Sequence, residues 1–387
     1  MTAKRLAATL LLLLAGGCST VGSLVDKVNP FYSSAPKLPE LAPIQATAQL
    51  NVTWQASIGE AGDYVLTPAV VGQSVYAAAR DGTLARFDNG RQIWRVSVGQ
   101  IVSGGVGSDG KLVVVGTPKG EVLAFDAQNG TALWQARASS EVLSPPAVGE
   151  GLVVVRSGDA RLFAFEAKDG KRRWVYQRST PALSLRTSVG MVLAGRAVLA
   201  GFPGGKLVAV SATNGAALWE VAVAQPKGST ELERVADLSS MPVINGREVC
   251  AVAYQGRVAC FDMTSGNQLW SRDISSSAGL DIGADNVFVS DEKGSVNALA
   301  RGDGASLWKQ DKLARRGLSR PLALGRFVAV GDSQGIVHLL GRQDGAFAAR
   351  FGGDGSAISA DPQRLGSEGA QFLIQTRSGM LYALSAQ

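Results

Sequence analysis

The sequence predicts an all-β fold, an eight-bladed β-propeller of four-stranded antiparallel blades, on three observations. All seven tryptophans fall into one series, Trp54, Trp94, Trp134, Trp174, Trp219, Trp270 and Trp308, with successive spacings of 40, 40, 40, 45, 51 and 38 residues. Six of them follow a glycine by four residues: Gly90, Gly130, Gly170, Gly215, Gly266 and Gly304. An alternating strand precedes each such turn, and it is written eight times. A fixed period of about forty residues marks a propeller or a solenoid. Forty residues hold four strands of roughly five or six residues with their turns, and four-stranded sheets set radially make a propeller.

Each element of the repeat has a physical reading. The alternating strands begin at Gly82, Gly120, Ala160, Gly205, Gly256, Gly294, Gly335 and Gly379, and each follows a short apolar run such as Leu112-Val-Val-Val115. Short apolar or alternating runs bounded by Gly, Asn and Asp read as antiparallel strands. The turn glycine, as in Asp126-Ala-Gln-Asn-Gly130, suits a hairpin position with positive φ. The Trp that follows lies on the outer strand and wedges between neighbouring blades, where its indole N–H requires an acceptor. Repetition at one equivalent position makes these tryptophans structural rather than ligand-stacking. A further copy of the turn, Gly345, is followed by Ala349 and Phe351 where the Trp would stand. The eighth alternating strand ends at Leu384, while Trp54 sits in a surplus strand near the start. The expectation is that this N-terminal strand completes the last blade and removes a free sheet edge.

Composition narrows the function. With 46% hydrophobic and 18% charged residues, the chain can bury a large core. The net charge of +6 is spread over 38 basic and 32 acidic residues. No basic cluster with interleaved aromatics stands out, which argues against nucleic acid as a partner.

The first residues read as a targeting segment. Lys4 and Arg5 precede the apolar run Leu6–Ala15, which is too short for a permanent span. Leu14-Ala15-Gly16-Gly17-Cys18 resembles the bacterial lipobox, with Ala15 where the pattern carries Leu and Leu14 one place further back. The resemblance implies a signal peptide over 1–17 and lipidation of Cys18. Several acyl chains anchor stably, since each buried CH₂ contributes about 0.8 kcal/mol. Ser19, where Asp would retain a lipoprotein at the inner membrane, implies the periplasmic face of the outer membrane. Residues 18–49, with Pro30, Pro36, Pro39 and Pro43, read as the lipidated Cys and a flexible tether, with local docking through Phe31 and Tyr32, and 50–387 as the propeller.

Little in the chain points to catalysis or to a cofactor. The single histidine, His338, occupies a strand position held by Val, Asn, Phe or Ala in other copies, so it reads as a core residue. One His excludes a multi-His metal site and argues against a Ser/His/Asp triad. Cys250 and Cys260 face each other across a hairpin if its turn centres on Gln255. An oxidising compartment allows a disulfide there, and two small buried thiols fit equally.

The repeat Asp-x-x-x-Gly-x-x-x-Trp resembles that of quinoprotein-like propellers, some of which hold pyrroloquinoline quinone and Ca²⁺ in the channel. Those enzymes carry a longer chain and an adjacent Cys pair, both missing here. Lipobox, tether and eight blades together resemble the BamB family, lipoproteins of the outer-membrane β-barrel assembly machinery. Two segments are more specific than the repeat: Pro181-Ala-Leu-Ser-Leu-Arg186, and Gly228–Pro242, which contains Asp237 and accounts for the spacing of 51. Leu183, Leu185 and Arg186 place two aliphatic anchors beside a rigid cation, which suits an interface or an ordinary inner strand. The resemblance implies that Leu183, Leu185, Arg186 and Asp237 contact the periplasmic domains of BamA. It further implies contact with other assembly-complex subunits and with nascent outer-membrane proteins. Ser239 stands where the family tends to carry a second Asp. The competing expectations are a quinone-dependent dehydrogenase and a lipoprotein propeller binding another envelope partner such as peptidoglycan.

Overall fold

A computed structural model describes residues 38–366 and 369–387. The signal peptide, Cys18, Phe31 and Tyr32 lie outside the described residues. The propeller unit runs from Leu41 to Gln387. It is built of eight four-stranded antiparallel sheets, numbered here as blades one to eight in chain order. Blade two shows the pattern. Its two middle strands, Leu112–Gly116 and Glu121–Asp126, are buried almost throughout, because both faces of the sheet are covered by neighbouring blades. Its outer strand, Ala132–Arg137, alternates exposed and half-buried residues. Continuous apolar runs in the sequence therefore mark middle strands, and alternation marks the rim.

The core is a ring of clusters, each shared by neighbouring blades. In one, Tyr76, Leu84 and Trp94 of blade one pack on Val113, Val115 and Phe125 of blade two. The recurring spacing of Gly and Trp has a single geometric cause. The turn glycine of each of blades one to seven lies on the Trp of the preceding blade around the ring: a Cβ built on Gly170 would come 2.5 Å from Trp134, and one on Gly130 2.9 Å from Trp94. The same turn supplies the indole's acceptor. Trp94 Nε1 donates to Ala127 O at 3.1 Å, Trp134 to Ala167 O at 2.8 Å, and Trp270 to Arg301 O at 2.7 Å.

The ring closes as expected. Leu50–Ser57 pairs antiparallel with Met380–Ala386, with Trp54 opposite Ala383, and becomes the outer strand of blade eight. This also explains why Ala349 replaces a tryptophan. Blade eight's third and outer strands come from distant parts of the chain, so no hairpin turn joins them and no glycine cap faces blade seven. Phe351 and Tyr382 fill the gap edge-on, with ring centroids 5.2 Å apart. Residues 41–49, read from sequence as the end of a tether, run along blade seven instead. Thr47 N and Ala48 N both donate to Ala348 O at 2.9 and 3.1 Å, and Arg350 Nη1 donates to Ala42 O at 2.6 Å.

Every outer strand carries a bulge at the residue before the Trp position, for instance Leu133 between Ala132 and Trp134. The bulged side chains Ile93, Leu133, Leu218, Leu269 and Leu307 are about half exposed. A bulge interrupts the row of free backbone groups and blunts a sheet edge against strand addition.

Candidate interaction face

The two longest connections from an outer strand to the next inner strand lie next to each other. One joins blade three (outer strand Arg172–Tyr176) to blade four (inner strand Met191–Ala194), and the other joins blade four (Ala217–Ala222) to blade five (Val243–Asn245). The first carries Leu183, 43% exposed, the half-buried Leu185 and Arg186, whose side chain is 68% exposed. Arg186 Nε lies 3.4 Å from Glu141 Oε1.

The second connection holds the first in place. Asp237 is only 3% exposed. Its Oδ2 accepts from Leu185 N at 2.6 Å and its Oδ1 from Gly204 N at 2.9 Å, while its own carbonyl accepts from Tyr254 N at 2.9 Å. The sequence suggested an acidic group offered to a partner. The structure shows a buried carboxylate that fastens the Leu185 segment to blades four and five. Charge-assisted bonds to backbone N–H groups offset the cost of burying it. Beneath it, burial pushes the Arg156 guanidinium down to about 10, with the Asp237 charge opposing, so Arg156 remains a cation at neutral pH. Ser239, beside it, donates its hydroxyl to Ser276 O at 2.9 Å.

Sequence reading missed Leu232, at 70% exposed the most open large hydrophobic among the described residues. One capped turn presents it. Glu233 Oε2 accepts from Ser229 N at 2.8 Å and Thr230 N at 3.0 Å, and Glu233 N donates to Thr230 Oγ1 at 3.2 Å. The signal was legible as a capping box, Thr230-x-x-Glu233. The structure thus brings Leu183, Leu185, Arg186 and Asp237 together, with Asp237 below the surface.

The other singled-out residues lie elsewhere. Cys250 and Cys260 form a disulfide directly across the middle strands of blade five, Cα atoms 4.1 Å apart and both fully buried. His338 is fully buried in blade seven, with Nε2 3.0 Å from Asp332 Oδ2.

The central channel is a cavity of about 550 Å³ lined by residues such as Thr67, Pro145, Ser188, Ser240, Arg320 and Asp361. Its two lining charges, Arg320 and Asp361, face each other, and a second ion pair lies outside the lining. Arg320 Nε lies 3.3 Å from Asp361 Oδ2, and Arg364 Nη2 lies 2.8 Å from Asp281 Oδ2, which also accepts from Ala323 N at 2.8 Å. Among the described residues, no group of three or more His, Cys, Asp or Glu is arranged to hold a metal ion. Calcium asks for roughly six to eight oxygen ligands, carboxylates prominent among them, and the one carboxylate of this lining, Asp361, faces Arg320. Among the described residues, no tryptophan lines the channel. These residues do not fit a quinone with its Ca²⁺.

A family model described as "Outer membrane protein assembly factor BamB" matches residues 80–310. The Bordetella pertussis protein of that name is 44% identical over 97% of this chain and 95% of its own length. This chain belongs to the BamB family. The Escherichia coli member is 34% identical, covering 96% of each chain. The crystal structure of BamB from Moraxella catarrhalis superimposes with a TM-score of 0.80 at 28% identity, over 87% of this chain and all of that one. A quinohemoprotein alcohol dehydrogenase from Comamonas testosteroni shares the fold, with a TM-score of 0.71 at 12% identity, over 87% of this chain and 76% of that one.

Proposed function

We propose that this protein is a non-enzymatic scaffold subunit of the outer-membrane β-barrel assembly complex. It is anchored through lipidated Cys18 to the outer membrane of a Gram-negative bacterium and faces the periplasm. There it docks on the periplasmic domains of BamA and assists assembly and insertion of outer-membrane proteins. Membership in a family named for outer-membrane protein assembly supports the process. The observation that carries the site is the pairing of exposure with rigidity. Leu183, Leu232 and Arg186 stand open on the two longest connections, and Asp237 fastens the segment that presents two of them. Aliphatic anchors and an arginine held in fixed geometry lose little entropy on binding. Bulged outer edges favour docking through this loop face over strand addition at a blade rim.

Replacing Leu183, Leu185 and Arg186 together by alanine is expected to abolish co-purification with BamA while leaving the thermal unfolding transition in place. Undiminished co-purification from a folded variant would sink the site. Pull-down from crosslinked cells separates this from a propeller serving another envelope partner, for which BamA would be missing from the captured set.

A further inference from the structure

Under the segment Ser184–Thr187 lies a small recess of about 30 Å³, with Leu143 and Pro203 in its wall and Arg156 and Ser144 lining it. Two of its lining residues carry an orphaned polar atom. Arg156 Nη1 and Ser144 Oγ are buried and have no hydrogen-bond partner among the described residues. Arg156 is held in place by Phe202, whose ring centroid lies 5.6 Å from its Cζ. The nearest compensating charge, Asp237, spends its two carboxylate oxygens on the Leu185 and Gly204 amides. It offsets the field of Arg156 without bonding Nη1. A buried cation with an unused N–H is costly unless something fills the position.

We propose that this recess is a carboxylate socket: Arg156 and Ser144 receive an aspartate or glutamate side chain from the protein that docks on Leu183–Arg186. The inference rests on the docking reading above. One ordered water needs some 10–15 Å³ of such space, so the recess holds about two oxygens, the size of a carboxylate head. An Arg and a hydroxyl donor in one lining match its two acceptor atoms. The lining includes Leu185 and Arg186, so a partner seated on those residues lies over the socket. The chain itself places a carboxylate at this rim. Glu141 Oε1 sits 3.4 Å from Arg186, and its carboxyl carbon packs where a Cβ on Gly158 would come within 2.6 Å. Arg156 below and Arg186 above then bracket the incoming acid.

The experiment is a dissociation constant for the mature protein and purified BamA periplasmic domains, for Arg156→Gln, Ser144→Ala and the Leu183/Leu185/Arg186 triple variant. Thermal unfolding of each variant runs in parallel. Arg156→Gln is expected to weaken binding roughly ten- to hundredfold, and Ser144→Ala about three- to tenfold, since the first removes a charged donor and the second a neutral one. Ser144→Ala changes one buried hydroxyl, so it tests the socket even if Arg156→Gln unfolds. Unchanged binding by Ser144→Ala and by any folded Arg156→Gln, with the triple variant inactive, overturns the socket: it then holds structural water only. A triple variant that binds normally overturns the docking reading instead.

Discussion

Asp332 gathers more partners than any other carboxylate described above. It is fully buried; Oδ1 accepts from Gln334 N at 2.8 Å and Ile336 N at 3.0 Å, while Oδ2 meets Arg316 Nε at 2.6 Å and His338 Nε2 at 3.0 Å. Burial opposes its charge, yet the bonds from His338, the Ile336 amide and Arg316 hold the carboxyl below its usual range. Burial also pushes His338 down, against the pull of Asp332, and the Arg350 and Arg316 charges add to the depression. The imidazole is therefore neutral at pH 7 in the folded state and takes up its proton at a lower pH than in the unfolded chain, which does so near pH 6.5. Below that pH the unfolded state binds more protons, so stability falls as pH falls. The chain has one histidine, so the imidazole contribution between about pH 5.5 and 7.5 is that of His338 alone. The unfolding midpoint is expected to drop across that interval, and His338→Asn, borrowing the residue at the equivalent Asn297, should flatten the drop. A full slope in that variant would refute the assignment. The burial of His338 was legible from the apolar residues in sister copies. The bond of Arg316 to the same carboxylate was not, because Arg316 reaches Asp332 from a separate loop. Asp237 shows the same limit: a break in the period marks an irregular connection without saying which side chains turn inward.

At the scale of the element, the Gly–Trp unit is a contact between blades written as if it were a motif within one. Gly170 (φ +68) would place a Cβ 2.5 Å from Trp134, whereas Gly151 (φ +73) has open space around it. Gly151→Ala is expected to cost about 1 kcal/mol, the penalty of the left-handed backbone alone. Gly170→Ala adds displacement of a packed indole and should cost roughly 2–4 kcal/mol. Denaturant midpoints at unchanged slope measure both, and equal costs would show that the glycine does not cap the ring. Spacing alone revealed the repeat, the strand order and the turn. It did not reveal the bulge before each Trp position, since a bulge inserts one residue without leaving a compositional mark.

At the scale of the molecule, stability depends on the seam. The Arg320–Asp361 and Arg364–Asp281 ion pairs link blades six, seven and eight, and Leu50–Ser57 completes the last of these. Deleting residues 41–57 should bare the Met380–Ala386 edge and drive self-association, read as a rise in mass by light scattering. A variant that stays monomeric and unfolds at the parental temperature would show closure to be dispensable. The closure itself was legible, because eight alternating strands and a surplus Trp strand leave one consistent arrangement. The docking of residues 41–49 was not, since backbone bonds to Ala348 need no particular side chains. That docking has a mechanical side. A pull transmitted along the chain toward Leu50 meets the Arg350–Ala42 bond and then the two Ala348 bonds before it reaches the closing strand. The load is spread as shear along blade seven, and the seam is spared from peeling when a tethered partner tugs on the protein.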